Sequence, residues 1–120
     1  MILVDPSAWI QHLRRSDAAL TTFLKEQRVR ACDVVIGELL LGSGLPTGFA
    51  RDLRTLPRLA CPSAAETCTF VERHSRSFAG AGVGWADVQI LLTAAKAGAR
   101  LHTADKAVRR LCRSLDIKLA

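Results

Sequence analysis

Residues 1–10 read MILVDPSAWI, so four apolar residues run directly into an aspartate and a proline. A short continuous apolar run of this kind is typical of a buried strand. Proline is well tolerated in the first turn of a helix, and a helix is therefore predicted from about Ser7 to Arg14. This places Asp5 at the junction between a core strand and a helix. The meaning of that carboxylate depends on whether other acids stand in equivalent places.

The rest of the chain continues to alternate between strands and helices. Further strands are predicted in VRACD (29–33), weakly in RLAC (58–61), in ARLHTAD (99–105) and in IKLA (117–120). Helices are predicted at about 17–27, at 34–43 with a stop at Gly42 to Gly44, in the first half of 49–62, at 63–79, at 85–98 and at 106–115. The helix at 63 begins with a capping box formed by Ser63 and Glu66. The intervening GAGVG (80–84) does not match a phosphate-binding loop and is predicted to be a flexible connection. The alternation favours an α/β fold in which helices cover both faces of a mostly parallel sheet, with one domain over residues 1–120.

The overall composition restricts the classes of function. A formal net charge of +6 favours an anionic partner, for which nucleic acid is the usual candidate. Aromatic residues make up only 5% of the chain and tyrosine is absent, so a base-stacking platform is not expected. No apolar run reaches the ~20 residues that cross a bilayer, and a cytoplasmic protein is expected. The cysteines lack zinc-finger spacing and are predicted to be reduced and mostly buried: Cys32, Cys61, Cys68 and Cys112.

Four acids stand in apolar surroundings. Asp5 and Asp105 each follow a predicted strand, Glu38 lies within the apolar helix VVIGELLLG, and Asp87 is in the first turn of the helix WADVQILLTAA. Each acid has a local explanation by itself. Asp5, Asp105 and Asp87 would suit helix N-termini, and Glu38 would suit a solvent-facing position. Together they indicate one shared pocket, because the carboxyl edge of a parallel sheet is where ligands bind in open α/β folds.

Several carboxylates in one pocket repel each other, and a divalent cation relieves that repulsion. Oxygen ligands without cysteine or histidine point to Mg²⁺, with Mn²⁺ as a possible substitute. Such an ion can activate water and polarise a phosphoryl oxygen. Within a basic protein, this combination predicts hydrolysis of phosphodiester bonds.

The segments MILVDPSAWI, GELLLGS and WADVQILLTAAKAGARLHTAD, in this order, resemble the PIN domain, and specifically the VapC toxins of bacterial toxin–antitoxin pairs. The matching positions are the acid and hydroxyl after the first strand, the E-l-x-x-G setting, the D-x-x-I/L-x-x-x-A setting and the final T-x-D. They correspond to Asp5, Ser7, Glu38, Gly42, Asp87, Ile90, Leu91, Ala94, Thr103 and Asp105. Two departures are Pro6 beside the first acid and Val108 where family members often carry an aromatic residue. The middle of the chain is also short.

The resemblance implies a three-layer α/β/α sandwich and a metal-dependent endoribonuclease that is held in check by an antitoxin and forms a homodimer. It implies that Asp5 and Asp87 ligate the metal. Glu38 and Asp105 would complete the site directly or through water, and Ser7 and Thr103 would support the carboxylates.

Three arginines, Arg109, Arg110 and Arg113, lie on the predicted helix after Asp105. They suit either an RNA-contacting rim or a solvated helix face with cations toward its C-terminus. The main alternative function is a non-catalytic nucleic-acid-binding or scaffold protein with the same fold, which would not need all four acids. A receiver-type phosphoacceptor domain would need paired acids after the first strand, where this chain has Asp5 alone.

Overall fold

Three short parallel strands form the centre of the fold in a computed structural model that describes all 120 residues. The strands are β1 (Ile2–Val4), β2 (Val29–Arg30) and β3 (Arg100–His102), and their order in the sheet is β2–β1–β3. Ile2 pairs with Val29 on one side and with Arg100 on the other. Parallel strands are buried on both faces, and all three residues of β1 are accordingly buried. The arrangement is an α/β sandwich, as predicted.

Eight helices connect and cover the strands. Their bounds are α1 (Pro6–Arg14), α2 (Ala18–Lys25), α3 (Asp33–Leu41), α4 (Phe49–Arg54), α5 (Ala64–Arg73), α6 (Ser75–Phe78), α7 (Trp85–Ala97) and α8 (Lys106–Ser114). The local signals explain their ends: Pro6 opens α1, the Ser63–Glu66 capping box opens α5, and Gly98 ends α7 with a φ of 65°. No helix is both long enough and apolar enough to span a membrane.

Three of the predicted elements differ from the structure. RLAC and IKLA are not strands, because each contributes a single bridge, Arg58 with Ala31 and Leu119 with Leu101. The predicted helix 63–79 is two helices, since His74 leaves helical geometry with a φ of −117° and a ψ of 33°. The segment 80–84 forms no helix or strand, as expected.

The core joins the sheet to the helices through one cluster of 21 buried residues. Trp9 belongs to this cluster, whereas Trp85 is 49% exposed. The four cysteines are free, but only Cys32 and Cys112 are buried. Burial raises the pKa of the Cys32 thiol to about 12 and that of the Cys112 thiol to about 11, so neither is a thiolate at neutral pH.

Candidate active site

Asp5 lies at the carboxyl end of the central strand, with 3% of its surface exposed. Its backbone N–H donates to the carbonyl of His102 on β3 at 2.9 Å, which fixes it at the edge shared by the two strands. Asp5 occupies the N-cap position of α1, but its side chain accepts no backbone N–H from the helix. A side-chain cap therefore does not explain this carboxylate.

Two hydroxyls hold one oxygen of Asp5. The hydroxyls of Ser7 and Thr103 both donate to Asp5 Oδ2, the Ser7 bond measuring 2.6 Å. Each hydroxyl also accepts a backbone N–H, Ser7 from Ala104 at 3.0 Å and Thr103 from Asp105 at 3.1 Å. The network ties the start of α1 to the segment after β3 and sets the orientation of the Asp5 carboxylate.

The second oxygen of Asp5 is left open. Asp5 Oδ1 makes no hydrogen bond within the chain, and the protein has no fully buried side-chain oxygen or nitrogen without a partner. Oδ1 must therefore retain some contact with solvent. A carboxylate with one oxygen anchored and the other open is suited to hold a cation or a water molecule.

The charge of Asp5 is disfavoured in this setting. Burial raises the pKa of the Asp5 carboxyl, and the nearby charges of Asp87 and Asp105 raise it further. The hydrogen bonds from Ser7 and Thr103 act in the opposite direction. The charges of Asp87 and Asp105 thus act on Asp5 from distant parts of the sequence.

Asp87 and Asp105 each use one oxygen at a helix N-terminus. Asp87 Oδ2 accepts the Gly84 N–H at 3.2 Å, and Asp105 Oδ1 accepts the Val108 N–H at 3.0 Å. The local explanation therefore describes part of their role. The backbone hydrogen bond occupies only one oxygen of each carboxylate, so the second oxygen of each remains available.

Glu38 faces an open cleft of about 550 Å³ between α3 and the start of α7. Asp87 lines the same cleft, and Leu41 and Trp85 form apolar parts of its wall. Glu38 is exposed and has no ion-pair partner. The cleft thus brings Glu38 into the same space as Asp87, and Asp87 is in turn near Asp5.

The donor set suits a hard cation with a largely aqueous shell. No three side chains of the acid, histidine or cysteine type stand close enough to form a complete ligand cluster. Mg²⁺ does not require one, since it usually keeps several waters and binds one or two carboxylates. The open Oδ1 of Asp5 and the second oxygen of Asp87 are the donors that could hold such an ion.

Other candidate residues occupy different positions. The arginines at 109, 110 and 113 are all exposed on α8, and none forms an ion pair. His102 Nε2 bonds Asp17 Oδ2 at 2.7 Å, so its side chain connects β3 to the N-terminus of α2 and does not join the acids. The sequence offered no signal for this pair, because its two residues are 85 positions apart and share no motif.

The chain is similar in sequence to known ribonucleases. No family model matches the chain. Ribonuclease VapC32 of Mycobacterium tuberculosis strain CDC 1551 / Oshkosh is 37% identical over 122 residues, which span 100% of this chain and 97% of the relative. The protein of the same name from strain ATCC 25618 / H37Rv matches to the same extent.

Among solved structures, PAE2754 from Pyrobaculum aerophilum superposes with a TM-score of 0.56. The alignment covers 89% of this chain and 76% of that chain at 20% sequence identity. At this identity the likeness concerns the fold alone, and it agrees with the α/β sandwich described above.

Proposed function

Because the chain belongs to the VapC family of PIN-domain ribonucleases, we propose that it is a metal-dependent endoribonuclease and the toxin of a toxin–antitoxin pair. The observation that carries the proposal is the buried Asp5, anchored through one oxygen and open through the other. A residue used only for packing or capping would not need this arrangement. Asp87 and Asp105 add negative charge at the same edge of the sheet.

The residues of the site have separate roles in this proposal. Asp5 and Asp87 hold Mg²⁺ or Mn²⁺, and Ser7 and Thr103 keep Asp5 in the orientation that this requires. When bound, the ion supplies Lewis acidity toward a phosphoryl oxygen and lowers the pKa of a coordinated water. Glu38 and Asp105 contact the ion directly or through water.

The proton of the attacking water needs an acceptor. Glu38 is exposed in the cleft, and Asp105 retains one oxygen outside its capping bond, so either carboxylate can orient the water and accept its proton. The water oxygen then forms a bond to phosphorus, and the bond from phosphorus to the leaving oxygen breaks. The chain offers no separate acid for that leaving oxygen, and solvent in the open cleft supplies the proton.

The surface around the cleft has exposed apolar residues that suit contact with another protein. Leu41 is 85% exposed and Trp85 49% exposed, and both line the cleft that contains Glu38 and Asp87. Large exposed apolar side chains beside a polar site are typical of an interaction surface. We assign this apolar rim to contact with a cognate antitoxin, which would then cover the acidic cleft, and we expect the active toxin to be a homodimer.

The test is RNA cleavage by the purified protein with Mg²⁺, with Mn²⁺ and with EDTA. Asp5→Asn and Asp87→Asn should each reduce metal-dependent cleavage by more than about 100-fold, because loss of even an outer-shell partner commonly costs 10- to 100-fold. Asp116→Asn is the matched control. Asp116 is an exposed acid with a positive φ of 56° that asparagine tolerates, and its substitution should leave cleavage unchanged.

Two results would contradict the proposal. Cleavage that persists in EDTA would exclude a metal-dependent reaction. Wild-type protein that binds RNA without cutting it under any of these conditions would favour the non-catalytic nucleic-acid-binding alternative.

A further inference from the structure

A second cleft, separate from the acidic one, lies between α6 and α8. Its volume is about 310 Å³. Arg76 and Ser77 of α6 face Arg110 and Ser114 of α8 across it, and Gly80 closes one end. The remaining wall consists of small or apolar residues. None of these residues belongs to the acid site.

The charge of this cleft is unbalanced. Two arginines line it, and no aspartate or glutamate does. Neither Arg76 nor Arg110 takes part in any of the ion pairs of the protein. Two arginines beside one cleft without a counter-charge repel each other, and an anion bound in the cleft removes that repulsion. Arginine presents its N–H groups in a fork that matches the oxygens of a phosphate.

The two serines add a donor to the same space. The hydroxyls of Ser77 and Ser114 are 2.6 Å apart and share one hydrogen bond. Whichever serine donates, the other keeps its own proton free, because each hydroxyl carries one hydrogen. The protein provides no side-chain acceptor for that second proton. A phosphate oxygen would accept it.

The position of the cleft relates it to the acids. Asp105 caps the first turn of α8, and Arg110 lies on the same helix five residues later. At 1.5 Å per residue, this corresponds to about 7.5 Å along the helix axis. Five residues also turn the position by about 140° around the axis, so an RNA strand bound at the acids would reach the cleft by passing along and partly around α8.

We propose that the cleft between α6 and α8 binds a non-scissile backbone phosphate of the RNA substrate, held by Arg76 and Arg110 and by the Ser77–Ser114 hydroxyl pair. The inference rests on the proposed ribonuclease function and extends it by assigning a phosphate subsite. Of the three α8 arginines that the sequence suggested for RNA contact, the proposal assigns only Arg110 to the subsite, since Arg110 lines the cleft whereas Arg109 and Arg113 do not.

The test compares Arg76→Gln/Arg110→Gln with Arg14→Gln/Arg15→Gln. The control pair removes the same charge from exposed positions at the end of α1. Binding of a fluorescent single-stranded RNA 12-mer of mixed sequence is measured by anisotropy in EDTA over a range of KCl concentrations. Cleavage of the same RNA is then measured with Mn²⁺. All four substituted arginines are exposed, so melting temperatures should stay near that of the wild type.

The subsite variant should bind RNA about tenfold more weakly than the control pair in low salt. The slope of log affinity against log salt concentration should fall by about 0.7, the value for one phosphate contact on a single strand. In cleavage, KM should rise while kcat stays close to that of the wild type, because the subsite does not contact the reacting atoms.

The outcomes separate the two proposals. If the wild type cleaves RNA and the subsite variant matches the control pair in affinity, salt slope and KM, the phosphate subsite is wrong and the ribonuclease function stands. If the wild type neither binds nor cleaves RNA, both proposals fail.

Discussion

At the scale of single residues, Asp5 shows how a carboxylate can be placed in a core at a cost. The strand before it is fully buried, and the chain compensates with two hydroxyl donors to one oxygen. The compensation is incomplete, because burial and the neighbouring acids still raise the pKa of the carboxyl. A site that disfavours its own negative charge is prepared to receive a cation.

The raised pKa of Asp5 predicts how Asp5→Asn changes the melting temperature in the absence of metal. An acid whose pKa is higher in the folded state than in the unfolded state destabilises the fold when ionised. This destabilisation is largest at pH values above the pKa of the folded state and disappears as the pH falls toward the pKa of the unfolded state. Asp5→Asn should therefore melt at or above the wild-type temperature at pH 7, by up to a few degrees. The difference should shrink on acidification toward pH 4.

Asp17→Asn is the matched control and should have the opposite sign. Burial raises the pKa of the Asp17 carboxyl, but the hydrogen bonds with His102 and the backbone N–H groups of Leu20 and Ala19, together with the charge of His102, hold it below its usual range. Its ionised form therefore stabilises the fold at pH 7, and the contribution is lost as pH falls through the folded pKa.

Adding Mn²⁺ should raise the melting temperature of the wild type more than that of Asp5→Asn. A large drop in the melting temperature of Asp5→Asn without metal would identify Asp5 as structural.

At the scale of secondary-structure elements, the helix N-termini serve the site as well as the fold. Asp105 caps α8, and Asp87 accepts a backbone bond at the start of α7. Negative charge is also favoured there by the helix dipole. Two of the four acids thus contribute to helix stability while their charges also act on Asp5.

Substitutions at Asp105 can separate these two contributions. Asparagine caps helices as well as aspartate does, whereas alanine does not and costs about 1 kcal/mol. Asp105→Asn should therefore unfold at the wild-type denaturant concentration but cleave RNA more slowly, and Asp105→Ala should lose both stability and activity. Urea titration and an RNA-cleavage assay on the same preparations measure the two effects.

Ser63→Ala provides the comparison for a cap outside the site. Ser63 forms the capping box of α5 with Glu66, and its loss should cost about 1 kcal/mol of stability with no change in cleavage. If Asp105→Asn cleaves RNA at the wild-type rate, Asp105 acts only as a helix cap and has no part in the reaction.

At the scale of the whole molecule, a net charge of +6 surrounds a site built from acids. In the proposed function the two features serve different steps, since exposed arginines would attract the RNA backbone while the carboxylates would act at one phosphate. Four of the protein's acidic residues, Asp17, Glu26, Asp33 and Glu66, are already paired with basic partners. Only three of the 17 lysines and arginines, Arg28, Arg58 and Lys96, form these ion pairs, so most of the positive charge is left for an external anion.

This excess charge predicts a strong dependence of RNA binding on salt. Each phosphate contact on a single strand contributes a slope of about −0.7 to log affinity against log salt. Three or more contacts would give a slope of about −2 or steeper. The measurement uses Asp87→Asn in EDTA so that the RNA stays intact. An affinity that does not change with KCl concentration would exclude phosphate contacts as the main source of binding.

The sequence by itself determined the features that depend on local interactions. Apolar runs, the position of Pro6, the Ser63–Glu66 pair and Gly98 predicted the core strand and the ends of three helices, because capping and periodicity act within a few residues. The acids at the ends of the first strand and of the strand before Asp105 predicted a common edge, since parallel strands end together.

Only the tertiary structure decided the features that depend on a distant partner. RLAC and IKLA each form a single bridge, because a strand requires an aligned neighbour and local propensity does not supply one. The bond between Thr103 and Asp5 joins residues 98 positions apart, and the cleft of Arg76 and Arg110 joins two helices that share no motif. Packing decides which oxygen of a carboxylate is anchored and which is left open, because side-chain orientation follows from contacts that come together only when the chain folds.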